Sequence, residues 1–294
     1  MVARLVEHQG SFRTASRQDG HVKMIKPPRQ SRHVFANGIR LHYLRLGQGR
    51  PPLILLPGIT APAATWEFVA ERLASRNDVY VLDIRGRGLS QGGSGLAYGL
   101  DDYAADTDGF IRALGFDRPA IVGHSMGARI AIRLAARYPA AIGKLVLADP
   151  PVSGPGRRPY PMPLNYYLDS LNAVSRGRGY DELRNSLPWS DEQLELRMEW
   201  LPTCDPTAII ESHRSFNEED IHSDLPNIAA DTLLLYAEKG ATVTDADADE
   251  IVRGINTSRK QRIDGAGHMI PWDQLDRFVD AIQVFLIDPE KRTN

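Results

Sequence analysis

The chain has 294 residues, 42% of them hydrophobic and 24% charged, and 35 basic against 37 acidic side chains leave a formal net charge of −2. That is the balance of a globular protein with one substantial core, and the interleaving of both signs excludes a broad basic face for nucleic acid or an anionic membrane. No apolar run reaches the roughly 18 residues needed to cross a bilayer and the first 30 residues lack a secretory h-region, so a small-molecule partner and a cytoplasmic setting are expected.

Residues 1–32 are rich in Arg, Gln and Ser and have no periodicity that would bury a face, which predicts a mobile extension; Met24 is a second candidate start. Regular pattern begins near residue 34. Val34-Phe35 and Ile39 to Leu44 flank Asn37-Gly38, the dipeptide suited to a two-residue hairpin turn, so two antiparallel strands open the fold. Leu53 to Leu56 is a short apolar run of the kind buried on both faces, and it stops at Pro57-Gly58.

Helix and strand patterns then alternate: helix from Trp66 to Leu73, strand from Val79 to Leu82, helix from Tyr103 to Leu114, strand from Ala120 to Val122, helix from Met126 to Tyr138, strand from Leu145 to Ala148. Residues 151–218 break the rhythm. They carry prolines, the aromatics Tyr160, Tyr166, Tyr167 and Trp189, and helical runs such as Leu194 to Trp200, which predicts a helical cap. Alternation resumes with strands at Thr232 to Tyr236 and Lys260 to Ile263 and helices at Ala246 to Ile255 and Leu275 to Ile287. The expectation is an α/β core over 33–150 and 219–290, built on a mostly parallel eight-stranded sheet with helices on both faces.

Gly123-His124-Ser125-Met126-Gly127 has the form G-x-S-x-G, which would arise by chance in roughly one chain in ten of this length. Its context gives it weight, because it joins an apolar strand run to an amphipathic helix run, the strand, sharp turn and helix that expose a nucleophilic serine. Ser125 therefore reads as a nucleophile, and a serine hydroxyl needs a base. Among eight histidines, His268 in the glycine-rich run Gly265 to Gly267 after the last strand is best placed; His124 adjoins the serine, and His213 and His222 lie in or just after the insertion. The single cysteine, Cys204, has no disulfide partner and no histidine at zinc-site spacing. Gly86-x-Gly88 and Gly92 to Gly95 lack the full patterns of phosphate cradles.

With the Pro57-Gly58-Ile59 turn, the Asp83 to Ser90 stretch, the Gly123 to Gly127 elbow and the Gly267-His268 loop in order, the chain from about 34 to 288 resembles the α/β-hydrolase family. The resemblance implies that fold with a helical cap, an oxyanion held by the backbone amides of Ile59 and Met126, and no metal or organic cofactor. It also implies a triad acid after the seventh strand, but Gly240 stands at the expected position. Asp149, which ends the strand after the nucleophile helix and precedes Pro150-Pro151, is the preferred replacement; Glu238, Asp245 and Asp247 are the alternatives.

The runs Leu56 to Thr60, Asp83 to Ser90, Gly123 to Arg129 and Ala148 to Gly154 more narrowly resemble the deformylases of bacterial nicotinate degradation. That implies hydrolysis of an N-formyl amide, N-formylmaleamate, to formate and maleamate, and an acid after the sixth strand. Such a small anionic substrate calls for a cation at the pocket, with Arg129, Arg157 and Arg158 as candidates. An esterase, an enol-lactone hydrolase or a cofactor-free perhydrolase would use the same triad, and a non-catalytic receptor would use the same fold.

Overall fold

The computed structural model describes residues 28–178, 184 and 189–287. Eight strands form one sheet: β1 (Arg29–Ala36), β2 (Ile39–Leu46), β3 (Pro52–Leu56), β4 (Asp78–Leu82), β5 (Ala120–His124), β6 (Lys144–Ala148), β7 (Asp231–Ala237) and β8 (Ser258–Ile263). Their order is β1-β2-β4-β3-β5-β6-β7-β8, with β2 antiparallel to β1 and β4 and every later pairing parallel. The opening hairpin turns at Asn37 and Gly38, whose φ angles of 48° and 76° are the positive pair such a turn demands.

The central strands β3, β5 and β6 are buried on both faces. Ile54, Leu56, Ile121, Leu145 and Leu147 face one core, and Leu53, Leu55, Val122, Val146 and Ala148 face the other. Over the first face lie α2 (Leu100–Ala113), α3 (Met126–Arg137) and α7 (Asp245–Gly254); over the second lie α1 (Glu67–Leu73) and α8 (Leu275–Ile287).

Between β6 and β7 the chain forms α4 (Leu164–Ser175), α5 (Asp191–Trp200) and α6 (Pro206–Glu218). Ser190 caps α5 through a reciprocal box with Gln193, and Asp205 caps α6 by accepting from the Thr207 amide at 2.8 Å. Tyr167, Leu171, Leu194 and Phe216 from these helices join the core of the first sheet face, so the insertion and the sheet share one apolar interior.

The expectation of an extension through residue 32 needs correction at its end. Residues 29–32 belong to β1 and pair with β2 from Arg29↔Leu46 onward. β1 is an edge strand whose side chains are mostly exposed, so it shows no apolar alternation to read. Residues 1–27, 179–183, 185–188 and 288–290 of the expected segments lie outside the described residues. Among the described residues, no helix is long and apolar enough to cross a membrane.

Candidate active site

Ser125 stands between the last residue of β5 and the first of α3, with φ 54° and ψ −120°. A non-glycine residue is strained there, and the packing around it enforces the strain. A β-carbon on Gly127 would meet the Leu56 carbonyl oxygen at 1.9 Å, and one on Gly123 would meet the Gly127 oxygen at 2.3 Å. Only glycines let the elbow close this tightly against β3.

The loop after β8 carries His268 across to this turn. His268 Nε2 is 3.0 Å from Ser125 Oγ, and its Nδ1 is 2.7 Å from Asp149 Oδ2. Asp149 has no solvent exposure, sits at φ 47°, and accepts the Ala237 amide at 3.2 Å on its other oxygen. The carboxylate therefore lies beneath the imidazole, anchored to β7, while its own amide donates to the Leu235 carbonyl. Thr242 Oγ1 lies 3.1 Å from the same Nδ1.

The other acids after β7 are engaged elsewhere. Glu238 accepts the Gly265 amide, Asp245 accepts the Tyr236 hydroxyl, and Asp247 pairs with Arg158 and caps α7. His213 and His222 sit against the carbonyls of Met162 and Val152. His124 is closer to the chemistry than its neighbours: its Nε2–H donates to the His268 carbonyl at 2.8 Å, tying the elbow to the histidine loop. Burial, with the His268 ring beside it, pushes the His124 pKa down to about 3, so the ring is neutral.

Among the described residues, the backbone N–H groups of Ile59 and Met126 have no protein acceptor. Arg87 holds the Ile59 loop from below, donating to the Ile59 carbonyl at 3.0 Å, to Tyr103 at 2.8 Å and to Ser212 of α6 at 2.9 Å. Two free amides near a strained serine suit a developing oxyanion.

A cavity of about 330 Å³ opens over Ser125 and His268, roofed by the insertion through Tyr160, Tyr166, Tyr167 and Trp189. The Tyr160 hydroxyl pairs with that of Tyr167 at 2.9 Å, and both tyrosines line the cavity with Ser125. Burial raises the pKa of both phenols, which stay protonated donors.

None of the three arginines expected at the pocket lines it. Arg129 is wholly buried under the insertion, where it donates to the carbonyls of Pro151, Ser153, Ser215 and Glu219. Arg157 is spent on Glu250 and the Val152 carbonyl, and Arg158 on Asp247 and the carbonyls of Ala241 and Thr242. The cavity's cation is Arg197 of α5, a residue the sequence marked only as part of a helical run. Among the described residues, no group of three or more His, Cys, Asp or Glu side chains is arranged to hold a metal ion.

The fold and the match of residues 51–275 to the α/β-hydrolase fold family establish that the chain belongs to that family. Within it, the chain is 50% identical over 258 residues to N-formylmaleamate deformylase of Pseudomonas putida, covering 87% of this chain and 96% of that one. The crystal structure of an N-formylmaleamic acid deformylase from Pseudomonas putida superposes with a TM-score of 0.82 at 44% identity, over 86% of this chain and all of that one. An enol-lactonase from Burkholderia xenovorans, 19% identical, covers 87% of this chain and all of its own with a TM-score of 0.72, a likeness of fold alone.

Proposed function

We propose that the chain hydrolyses N-formylmaleamate to maleamate and formate, with Ser125 as nucleophile, His268 as base and Asp149 as the acid of the triad. The observation that carries the reaction class is the unbroken hydrogen-bonded line from Ser125 Oγ through both nitrogens of His268 to Asp149. Half-identity to a deformylase over nearly its full length supports the substrate.

His268 Nε2 takes the Ser125 proton as Oγ attacks the formyl carbon. The carbonyl oxygen becomes an oxyanion that accepts from the Ile59 and Met126 amides. Asp149 keeps Nδ1–H directed at itself and stabilises the imidazolium. The imidazolium then gives its proton to the amide nitrogen, the C–N bond breaks, and maleamate departs. That nitrogen already bears a second acyl group, so it leaves as a primary amide rather than as a more basic amine. Water, deprotonated by His268, attacks the formyl ester and releases formate, restoring Ser125.

The aromatic roof keeps bulk water from the acyl enzyme. The substrate is a small carboxylate, a species that does not cross a bilayer unaided, and we place its hydrolysis in the cytoplasm. The test is formate release from N-formylmaleamate set against turnover of p-nitrophenyl acetate: strong ester cleavage with no formate overturns the deformylase reading.

A further inference from the structure

We infer that Arg197, on the cap helix α5, is the carboxylate-binding residue of the pocket: its guanidinium receives the anionic end of the leaving group while the formyl carbon lies against Ser125. This inference rests on the deformylase reading for the identity of the ligand, but not for the existence of the anion site.

The argument is one of unsatisfied charge. A guanidinium presents five N–H donors in a planar fork and stays charged at neutral pH, so an interior arginine is stable only when acceptors surround it. The protein's other interior arginines obey this. Arg85 is paired with Asp106, Arg133 with Asp101 and Asp224, and Arg129 with four backbone carbonyls. Arg87 is met by carbonyls and hydroxyls on every nitrogen.

Arg197 is different. Among the described residues its polar contacts are two long ones of 3.4 Å each, to the carbonyl and hydroxyl oxygens of Thr60. Its Nε, like that of Arg129, is buried with no acceptor among the described residues, but Arg129 has carbonyls at 2.6 to 2.9 Å on its terminal nitrogens, whereas Arg197 has no acceptor that close and no carboxylate within 4 Å among the described residues. One face of the guanidinium rests 5.8 Å from the Trp189 ring centroid, which holds the plane without neutralising it. Asp273, the carboxylate among the lining residues, is occupied by the Gly267 amide at 2.7 Å. Burial, partly opposed by Tyr166, Cys204 and Tyr167, lowers the Arg197 pKa, as expected of a cation short of counter-charge.

A guanidinium that lines a cavity and has no carboxylate partner among the described residues matches a carboxylate in chemistry and sign. Its contact with Thr60, the neighbour of Ile59, also sets the anion site next to the free amides. One ligand therefore spans the cap and the sheet edge, with its reacting carbonyl at the elbow and its charge at α5.

Isothermal titration calorimetry with two probes tests this directly. Maleamate carries the carboxylate; maleamide is the uncharged isostere. The wild-type protein is expected to bind maleamate more tightly than maleamide. Arg197→Gln is expected to raise the maleamate Kd by about tenfold or more, the size of a lost charge-assisted bidentate contact, with the maleamide Kd held within about twofold. Arg197→Lys, which keeps the charge but not the fork, falls between them, and thermal melting of both variants shows whether the cap remains folded. Equal losses for both probes, an unchanged maleamate Kd, or no wild-type preference for maleamate overturns the assignment. Absence of formate release from N-formylmaleamate overturns the deformylase reading instead, and leaves the charge discrimination to be judged on its own.

Discussion

The Asp149 carboxylate lies 3.5 Å from the point where a β-carbon on Gly240 would stand. Gly240 is the position after β7 from which an α/β-hydrolase commonly supplies its acid, and here an aspartate from the end of β6 occupies the neighbouring space. The two placements compete for one volume behind His268. A β-carbon at 240 would press on Ala237 Cβ at 3.0 Å and touch Asp149, and a longer side chain would enter the space of that carboxylate, so the glycine and the proposed acid at 149 go together.

That relationship predicts an exchange. Asp149→Asn leaves the shape but removes the charge facing Nδ1, and kcat is expected to fall by about 10³- to 10⁴-fold. The double variant Asp149→Gly, Gly240→Asp puts a carboxylate on the other strand and a glycine at the positive φ of 47°. It is expected to recover about tenfold or more over Asp149→Asn in steady-state kcat. A double variant no better than Asp149→Asn would mean that the two positions cannot substitute for one another.

The strain at Ser125 predicts a trade of stability against activity. Ser125→Ala and Ser125→Gly both abolish turnover, by about 10⁵- to 10⁶-fold. Only glycine relieves the backbone at φ 54°, so Ser125→Gly is expected to be more stable than Ser125→Ala by about 1–2 kcal/mol. Urea unfolding of the two proteins measures this, and equal midpoints would show that the elbow is unstrained.

His124 predicts a pH dependence of stability. Its pKa is near 3 in the native chain against 6.5 for an unperturbed histidine. Below 6.5 the unfolded chain binds a proton that the native chain refuses until about pH 3, so stability present above 6.5 is lost progressively as pH falls through that window. From about pH 7.5 to about pH 5 the contribution is about 2 kcal/mol. His124→Asn lacks the titration, and its unfolding free energy is expected to drop less than the wild type's by about that amount. Parallel losses in both proteins would assign the acid sensitivity to other groups.

Tyr160 lines the cavity with Ser125, the proposed nucleophile, and burial keeps its hydroxyl protonated. Tyr160→Phe is expected to lower kcat by about 10- to 100-fold with little change in KM, the pattern of a hydrogen bond that strengthens as charge develops on oxygen. A rise in KM at constant kcat would make the residue part of the roof and nothing more.

The elbow, the histidine loop and the alternating order of strands and helices were legible because each is a local pattern. Apolar run, glycine spacing and helix periodicity are set by residues within a few positions of one another, and Gly123 to Gly127 between β5 and α3 carries its meaning within 20 residues. The position of Asp149 at the sheet edge was readable for a related reason: it directly follows a strand beside that leading to Ser125, and in a parallel sheet neighbouring strand ends share an edge. The first half of β1, residues 29–32, was not, since an exposed edge strand has no face to pattern.

The arginines mark the limit. Arg129 sits one helical turn beyond Ser125 in sequence, yet it points under the insertion to carbonyls 22 to 90 residues away, and Arg197, in a helix with no obvious apolar stripe, faces the cavity. A long flexible side chain takes its direction from whichever acceptors the folded chain brings within reach, and those acceptors come from segments that only the tertiary packing assembles. The sequence by itself determined the strand-turn-helix that presents Ser125 and the loop that supplies His268. The packing of the insertion over the sheet decided which cation is left unpaired inside the pocket, because the balance of buried charge depends on contacts between segments far apart in the chain.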